Sequence, residues 1–216
     1  MHKIAEVVIP PVADIPTAIK QVMDSFIGDN EDHADWWDWW VIGGRWSGHK
    51  IEARIGTERL DAFVAELTAM KLTVSGFQSG RQSLNPASQC ETVDAMWRER
   101  FPGFGDKCIL FSHARDQYAK GAMHADDVCR VEELPADLTC ARLIVAKPHW
   151  DKETHPNELE AGYMLATDFW NGVSIQKTDY AGSVAEGIQR AREYIGKTNL
   201  PQVLDSWLVV TVDYHN

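Results

Sequence analysis

Apolar residues recur along the chain in two patterns, which predict a mixture of strands and helices. Residues 4–9 (IAEVVI) are apolar and β-branched and end at a Pro-Pro pair, as strands often do. Asp14 then precedes Pro16, and apolar residues follow at intervals of three and four. This pattern predicts a helix capped by Asp14 and closed by Gly28.

The alternation of elements continues through the first third of the chain. We predict a strand over 39–42 and a partner strand over 50–55, joined by a glycine-rich loop. A helix follows from Thr57, and a short strand covers 72–74. Residues 1–76 then have the order β-α-β-β-α-β, which is that of a ferredoxin-like or split βαβ unit.

The middle of the chain has a weaker pattern. Residues 76–87 are polar and glycine-containing, as in a loop. Pro86 opens a helix whose apolar positions continue to Phe101, and 107–111 is a candidate strand. We therefore predict a helical or loop insertion over 77–135.

The last third predicts a βββαβ unit over 136–216. A capping box beginning at Ser183 opens its helix, which Gly196 ends. The predicted strands are 140–146, 162–167, 172–176 and 207–214. The predicted fold class is thus α+β, with two ferredoxin-like or split βαβ units and a helical insertion. No low-complexity linker separates the two units, so they can pack as one body.

Composition narrows the class of protein. The chain has 216 residues, 44% hydrophobic and 25% charged, as in ordinary folded domains. No apolar run approaches the ~18 residues of a membrane span, and no signal peptide is visible. The four cysteines form no C-x-x-C pair, which argues against a zinc ribbon or a disulfide framework. We expect a cytoplasmic protein with reduced cysteines, no membrane partner, no cofactor and no metal.

The charge balance is acidic. Lys and Arg number 21 against 32 Asp and Glu, a formal net charge of −11. Between Asp24 and Asp38 there are six acids and no Lys or Arg. Affinity for phosphates is built from basic residues, so we expect no direct binding of nucleic acid. The charge instead suits a basic protein surface, including one that itself binds DNA or RNA.

Five of the nine tryptophans lie between Trp36 and Trp46, beside a Gly-Gly-Arg sequence. One interpretation is a structural hairpin, in which alternate tryptophans pack inward and Arg45 pairs with an acid. The other is a recognition surface, because aromatic residues and arginine dominate interfaces and also stack on bases or sugars. The candidate binding residues are Asp35, Trp36, Trp37, Asp38, Trp39, Trp40, Gly43, Gly44, Arg45 and Trp46.

Residues 38–48 (DWWVIGGRWSG) resemble the signature D-W-[WY]-x-[IV]-G-G-R-W-[ST]-G of an uncharacterised family of bacteriophage and prophage proteins. Three C-terminal segments resemble the family more loosely: 148–150, 169–172 and 207–215. Some family members carry C-x-x-C pairs; this chain has none, so no zinc site is transferred. The resemblance implies a phage or prophage origin and no particular activity.

Other groups of chemically active residues give weaker signals. His33 lies among acids without an EF-hand pattern, and His149 and His155 share a loop with Glu153. Asp213 and His215 are one residue apart on a predicted strand, so both face the same side. No G-x-S-x-G, Walker A or G-x-G-x-x-G motif is present, and an enzyme is not favoured.

These features lead to one functional expectation with two alternatives. The leading one is a phage- or prophage-encoded acidic accessory protein that binds a host protein or complex. Its target would be a nucleic-acid-handling defence complex, inhibited or modulated in the manner of anti-CRISPR or anti-restriction proteins. The first alternative is a nucleotide-binding sponge or nucleotide-modifying enzyme, with Arg45 on a phosphate, an indole on the base, and Asp213 and His215 for acid–base work. The second is a virion structural or assembly component.

Overall fold

A computed structural model describes residues 2–24, 37, 39–78, 81–84, 90–110, 123, 125–149, 152–155, 157–166, 183–198 and 204–215. These residues form an α+β fold. Its helices are α1 Ile15–Asp24, α2 His49–Ile55, α3 Thr57–Ala69, α4 Cys90–Arg100 and α5 Val184–Thr198. Its strands are β1 His2–Ile9, β2 Trp39–Ile42, β3 Thr73–Gln78, β4 Arg81–Leu84, β5 Val128–Arg130, β6 Arg142–Pro148, β7 Leu159–Ala166 and β8 Leu208–His215.

Six of the strands form one mixed sheet in the order β2-β8-β1-β6-β7, with β5 also paired to β8. β1 is antiparallel to β8 from His2↔His215 to Ile9↔Leu208, and it is parallel to β6. β2 and β5 lie end to end along the other edge of β8. Strands from both ends of the chain therefore share one sheet, and β8 lies between β1 and the β2–β5 edge.

The predicted strand at 50–55 is wrong, because these residues form helix α2. The segment alternates apolar and polar residues, but Ile51 and Ile55 are also spaced by one helical turn and share a buried face. The first third consequently has the order β-α-β-α-α-β, and the ferredoxin-like arrangement is not confirmed. The candidate strand at 107–111 is also absent from its described part, where residues 109–110 form a turn.

Several helix predictions are confirmed. Asp14 caps α1 by accepting the Thr17 amide at 3.1 Å and the Thr17 hydroxyl at 2.7 Å. The side chain of Ser183 accepts the Glu186 amide at 3.1 Å at the start of α5. The helix from Thr57 also occurs, and the helix predicted from Pro86 to Phe101 is seen over Cys90–Arg100, while Pro86 lies outside the described residues. α5 continues to Thr198, past the predicted end at Gly196. Local capping and apolar spacing were sufficient to locate these elements.

Three apolar clusters fill the fold. One covers the sheet face beneath α5 and includes Val8, Val145, Ile188 and Val209. The second lies between the opposite face and α1, and includes Val7, Ile19, Ile144 and Val210. The third joins α2, α3 and α4 around an aromatic group of Phe63, Trp97 and Phe101. Helix α2 thus connects the sheet to the helical cluster.

A buried ion pair fixes α2 to the sheet. The Nζ of Lys50 donates to Glu6 Oε2 at 2.7 Å, to the Asp127 carbonyl at 3.1 Å and to the Thr211 hydroxyl. The Thr211 hydroxyl in turn donates to Glu6 Oε1 at 2.9 Å. The side chains of Lys50 and Glu6 are 1% and 0% exposed. One lysine therefore ties together α2, β1, β8 and the turn before β5.

Lys50→Met should destabilise the fold by about 3–5 kcal/mol, because it leaves the Glu6 carboxylate buried without its cation. The double variant Lys50→Met/Glu6→Leu should recover part of this loss, since neither charge then remains. Urea unfolding of each variant measures the change. Arg100→Ala is the control: it removes the exposed Arg100–Glu66 ion pair and should cost less than about 1 kcal/mol. A Lys50→Met variant as stable as this control would contradict the assignment.

Candidate functional site

The Gly-Gly-Arg sequence does not form the predicted hairpin loop. After β2 the chain passes through a 3-10 turn at Gly44–Trp46 and enters α2. The Gly43 amide donates to the Thr211 carbonyl at 2.8 Å, and the Arg45 amide donates to Asp213 Oδ2 at 3.0 Å. Residues 43–48, hereafter the motif turn, are thereby held by β8.

Two glycines permit this close approach. Gly43 has φ +67° and Gly44 has φ +54°, and residues other than glycine rarely adopt these conformations. A Cβ on Gly43 would lie 2.4 Å from the Asp127 carboxylate, and one on Gly44 would lie 2.6 Å from the Cβ of Asp213. Ser47, buried beside them, donates its hydroxyl to Asp127 Oδ2 at 3.2 Å. The two glycines are therefore explained by the close approach of the turn to its neighbours, and Ser47 by its hydrogen bond to Asp127.

Gly44→Ala should destabilise the fold by more than about 2 kcal/mol, because positive-φ strain adds to a clash with β8. Gly103→Ala is the matched control. Gly103 also has a positive φ, +90°, but a Cβ there meets nothing within 4 Å. The control should lose only about 1–2 kcal/mol from backbone strain. Equal unfolding midpoints for the two variants would show that the motif turn does not lie tightly against β8.

The structure separates the tryptophans by exposure. Trp37 is 1% exposed, and its indole donates to the Met23 carbonyl at 3.1 Å. Trp40 is half-buried and donates to Asp24 Oδ1 at 3.2 Å, while half-buried Trp46 packs against the cluster beneath α5. Trp39, by contrast, is 45% exposed. The structural interpretation therefore accounts for Trp37, whereas Trp39 remains a surface residue.

Of the remaining predicted site residues, the structure describes Gly43, Gly44 and Arg45. Arg45 is exposed, and Gly43 and Gly44 are buried beneath it. Asp35, Trp36 and Asp38 lie outside the described residues, as does His33. The described part of the predicted site thus presents two exposed side chains, those of Trp39 and Arg45.

Trp39 lies beside two histidines and a buried carboxylate. β2 places Trp39 opposite His215 of β8, and His215 is opposite His2 of β1. The ring centroid of His2 is 5.5 Å from that of Trp39 and 5.4 Å from that of His215. Asp213, 1% exposed, has its Oδ1 3.0 Å from Nδ1 of His2. The predicted shared face of Asp213 and His215 is thus next to Trp39.

His2 was missed by the sequence analysis. It lies at the chain start, in a segment with no motif, and only the β1–β8 register brings it to Asp213. The pairing spans 211 positions in sequence, and strand pairing over such distances has no local signal. The alternation of side chains along β8 predicts that Asp213 and His215 share a face, but only the pairing of β1 with β8 brings His2 to them.

The other candidate groups have local partners. The rings of His149 and His155 are 4.5 Å apart, and His155 lies 3.1 Å from Glu158. His149 lies 3.9 Å from Glu160, which also pairs with Lys147. Among the residues that the structure describes, no group of three or more His, Cys, Asp or Glu side chains is arranged to hold a metal ion.

Three cysteines are buried free thiols: Cys108, Cys129 and Cys140. Burial raises the pKa of the Cys108 thiol to about 12 and that of Cys129 to about 11. Burial also raises the pKa of Cys140. Because the thiolate is the nucleophile, none of these three thiols is suited to nucleophilic catalysis.

Comparison of the chain with protein-family models, curated proteins and solved structures found no match. Within the described ranges, no helix has both the length and the apolar character needed to span a membrane. The residues themselves are therefore the basis for any proposed function.

Proposed function

We propose that this protein acts by binding another protein through a surface centred on Trp39 and Arg45. The exposure of Trp39 carries the proposal. Within the described residues, the exposed large hydrophobic side chains are Trp39, at 45%, and Met70, at 53%. Tryptophan and arginine supply a large share of the binding energy at protein interfaces. A tryptophan left 45% exposed on an edge strand is well suited to this role.

The acidity of the chain indicates the partner's charge. Six acids lie between Asp24 and Asp38, immediately before β2 in the sequence. With a net charge of −11, attraction to a basic partner is long-ranged and speeds association. We propose a partner that normally binds nucleic acid, with its basic surface covered by this protein.

The resemblance of residues 38–48 to phage and prophage proteins supplies the biological setting of the proposal. The protein would be an accessory factor in the cytoplasm of an infected bacterium, modulating or inhibiting a host defence complex that handles nucleic acid. The motif turn supports this proposal indirectly, because Gly43, Gly44 and Ser47 hold the backbone that presents Trp39 and Arg45.

The test is retention of host proteins by immobilised wild type and variants, identified by mass spectrometry. Wild type should retain one nucleic-acid-handling complex near stoichiometry, and added DNA or RNA should displace it. Trp39→Ala should weaken binding of that complex roughly thirty-fold, the effect of losing about 2 kcal/mol at a hot spot. Met70→Ala, at another exposed hydrophobic residue, should retain it fully. Equal retention by Trp39→Ala and wild type would refute the proposed surface.

A charge-matched pair of variants tests the acidic segment. Reversing Asp29, Glu31 and Asp32 to Lys should weaken binding and flatten its dependence on salt concentration. Reversing three acids elsewhere, Glu58, Asp61 and Asp106, changes the net charge equally and should have a smaller effect. Equal losses in the two variants would mean that overall charge, and not the acidic segment before β2 in the sequence, governs association.

A further inference from the structure

A buried carboxylate orients an imidazole at the end of the sheet. Asp213 is 1% exposed and lies 3.0 Å from Nδ1 of His2 through Oδ1. Its second oxygen accepts the Arg45 amide at 3.0 Å, so the carboxylate itself is fixed by the motif turn. The side chain of His2 remains 28% exposed. When Nδ1 donates its proton to Asp213, the neutral ring presents Nε2 as a proton acceptor.

A second imidazole and an indole share this surface. His215 is paired with both His2 and Trp39 in the sheet, and the rings of the two histidines are 5.4 Å apart. Trp39 contacts His2 edge-on at 5.5 Å, leaving 45% of the tryptophan exposed. The arrangement combines one oriented proton acceptor, a second titratable ring and a flat apolar surface. We refer to His2, Trp39, His215 and Asp213 as the two-histidine site.

We infer that the two-histidine site is an acid–base site that cleaves the phosphodiester of short ribonucleotides. This activity shares Trp39 and Arg45 with the surface proposed above for protein binding, but it does not depend on that function. Two imidazoles can supply both the general base and the general acid that such a cleavage requires. Trp39 offers a surface on which a base can stack. Arg45 binds Asp213 through its backbone amide, and its exposed side chain carries a guanidinium, a group suited to binding phosphate. The net charge of −11 favours short substrates over long nucleic acids.

The reaction needs no group beyond the substrate's own ribose as nucleophile. Nε2 of His2 takes the proton of the 2′-hydroxyl, and the 2′-oxygen forms a bond to the adjacent phosphorus. The bond from phosphorus to the 5′-oxygen breaks, and His215 in its imidazolium form gives that oxygen a proton. The products are a 2′,3′-cyclic phosphate and a free 5′-hydroxyl. Proton exchange with water restores both histidines.

The test uses the purified full chain and the four ribodinucleotides UpA, CpA, ApA and GpA, followed by chromatography between pH 5 and 8. Wild type should yield the cyclic phosphate with a bell-shaped pH dependence. His2→Gln and His215→Gln should each lower the rate by about 10²–10⁴-fold. His149→Gln, a half-buried histidine on another loop, is the control and should keep the wild-type rate. Absence of cleavage by wild type on all four dinucleotides would overturn the inference.

Two further variants separate the roles within the site. Trp39→Ala should raise KM with little change in kcat, because stacking holds the base and does not move a proton. Asp213→Asn should lower kcat with little change in KM, because it removes the carboxylate that orients the ring of His2. The titratable groups that the structure places against His2 are Asp213 and His215. Cleavage that survives both histidine substitutions, in folded variants, would contradict the assignment.

Discussion

The arrangement of this fold depends on one buried lysine. Lys50 is fully enclosed, and its ammonium group is satisfied by Glu6, Thr211 and the Asp127 carbonyl. A charge in such a place is tolerable only when every partner is present, because desolvation of an ion costs several kcal/mol. The ion pair therefore specifies where α2 lies on the sheet. The helical cluster of α3 and α4 follows, since it packs on the other side of α2.

The motif turn also fixes α2 on the sheet, because it joins β2 to α2 and is hydrogen-bonded to β8. Between β2 and α2 the chain must cross from the sheet edge to the face that carries Glu6 and Asp213. It does so with Gly43 and Gly44 against β8 and with Ser47 bonded to Asp127. The conspicuous sequence of this region thus has a structural explanation for most of its residues. Among the residues of this region that the structure describes, Trp39 and Arg45 are the exposed exceptions, and both proposed functions use them.

Local signals in the sequence predicted the elements better than their arrangement. The cap at Asp14, the helix from Thr57 and the strand at 39–42 follow from short-range patterns and were correct. The segment 50–55 was assigned the wrong structure because its alternation fits either a strand or a short helix. Burial of Lys50 decides between them, and no local pattern indicates that a lysine will be buried. His2 was missed for a similar reason, since its partner Asp213 lies 211 positions away.

Native-state hydrogen exchange of the motif turn measures directly whether the turn and α2 are locked to the sheet. The Gly43 and Arg45 amides belong to a turn, where fast exchange is the usual expectation. Because they donate to Thr211 and Asp213, they should exchange as slowly as the central amides of β8. The amides of α2 should share that protection through Lys50. Rapid exchange of Gly43, Arg45 and α2 beside a protected β8 would show that the turn and helix are not locked to the sheet.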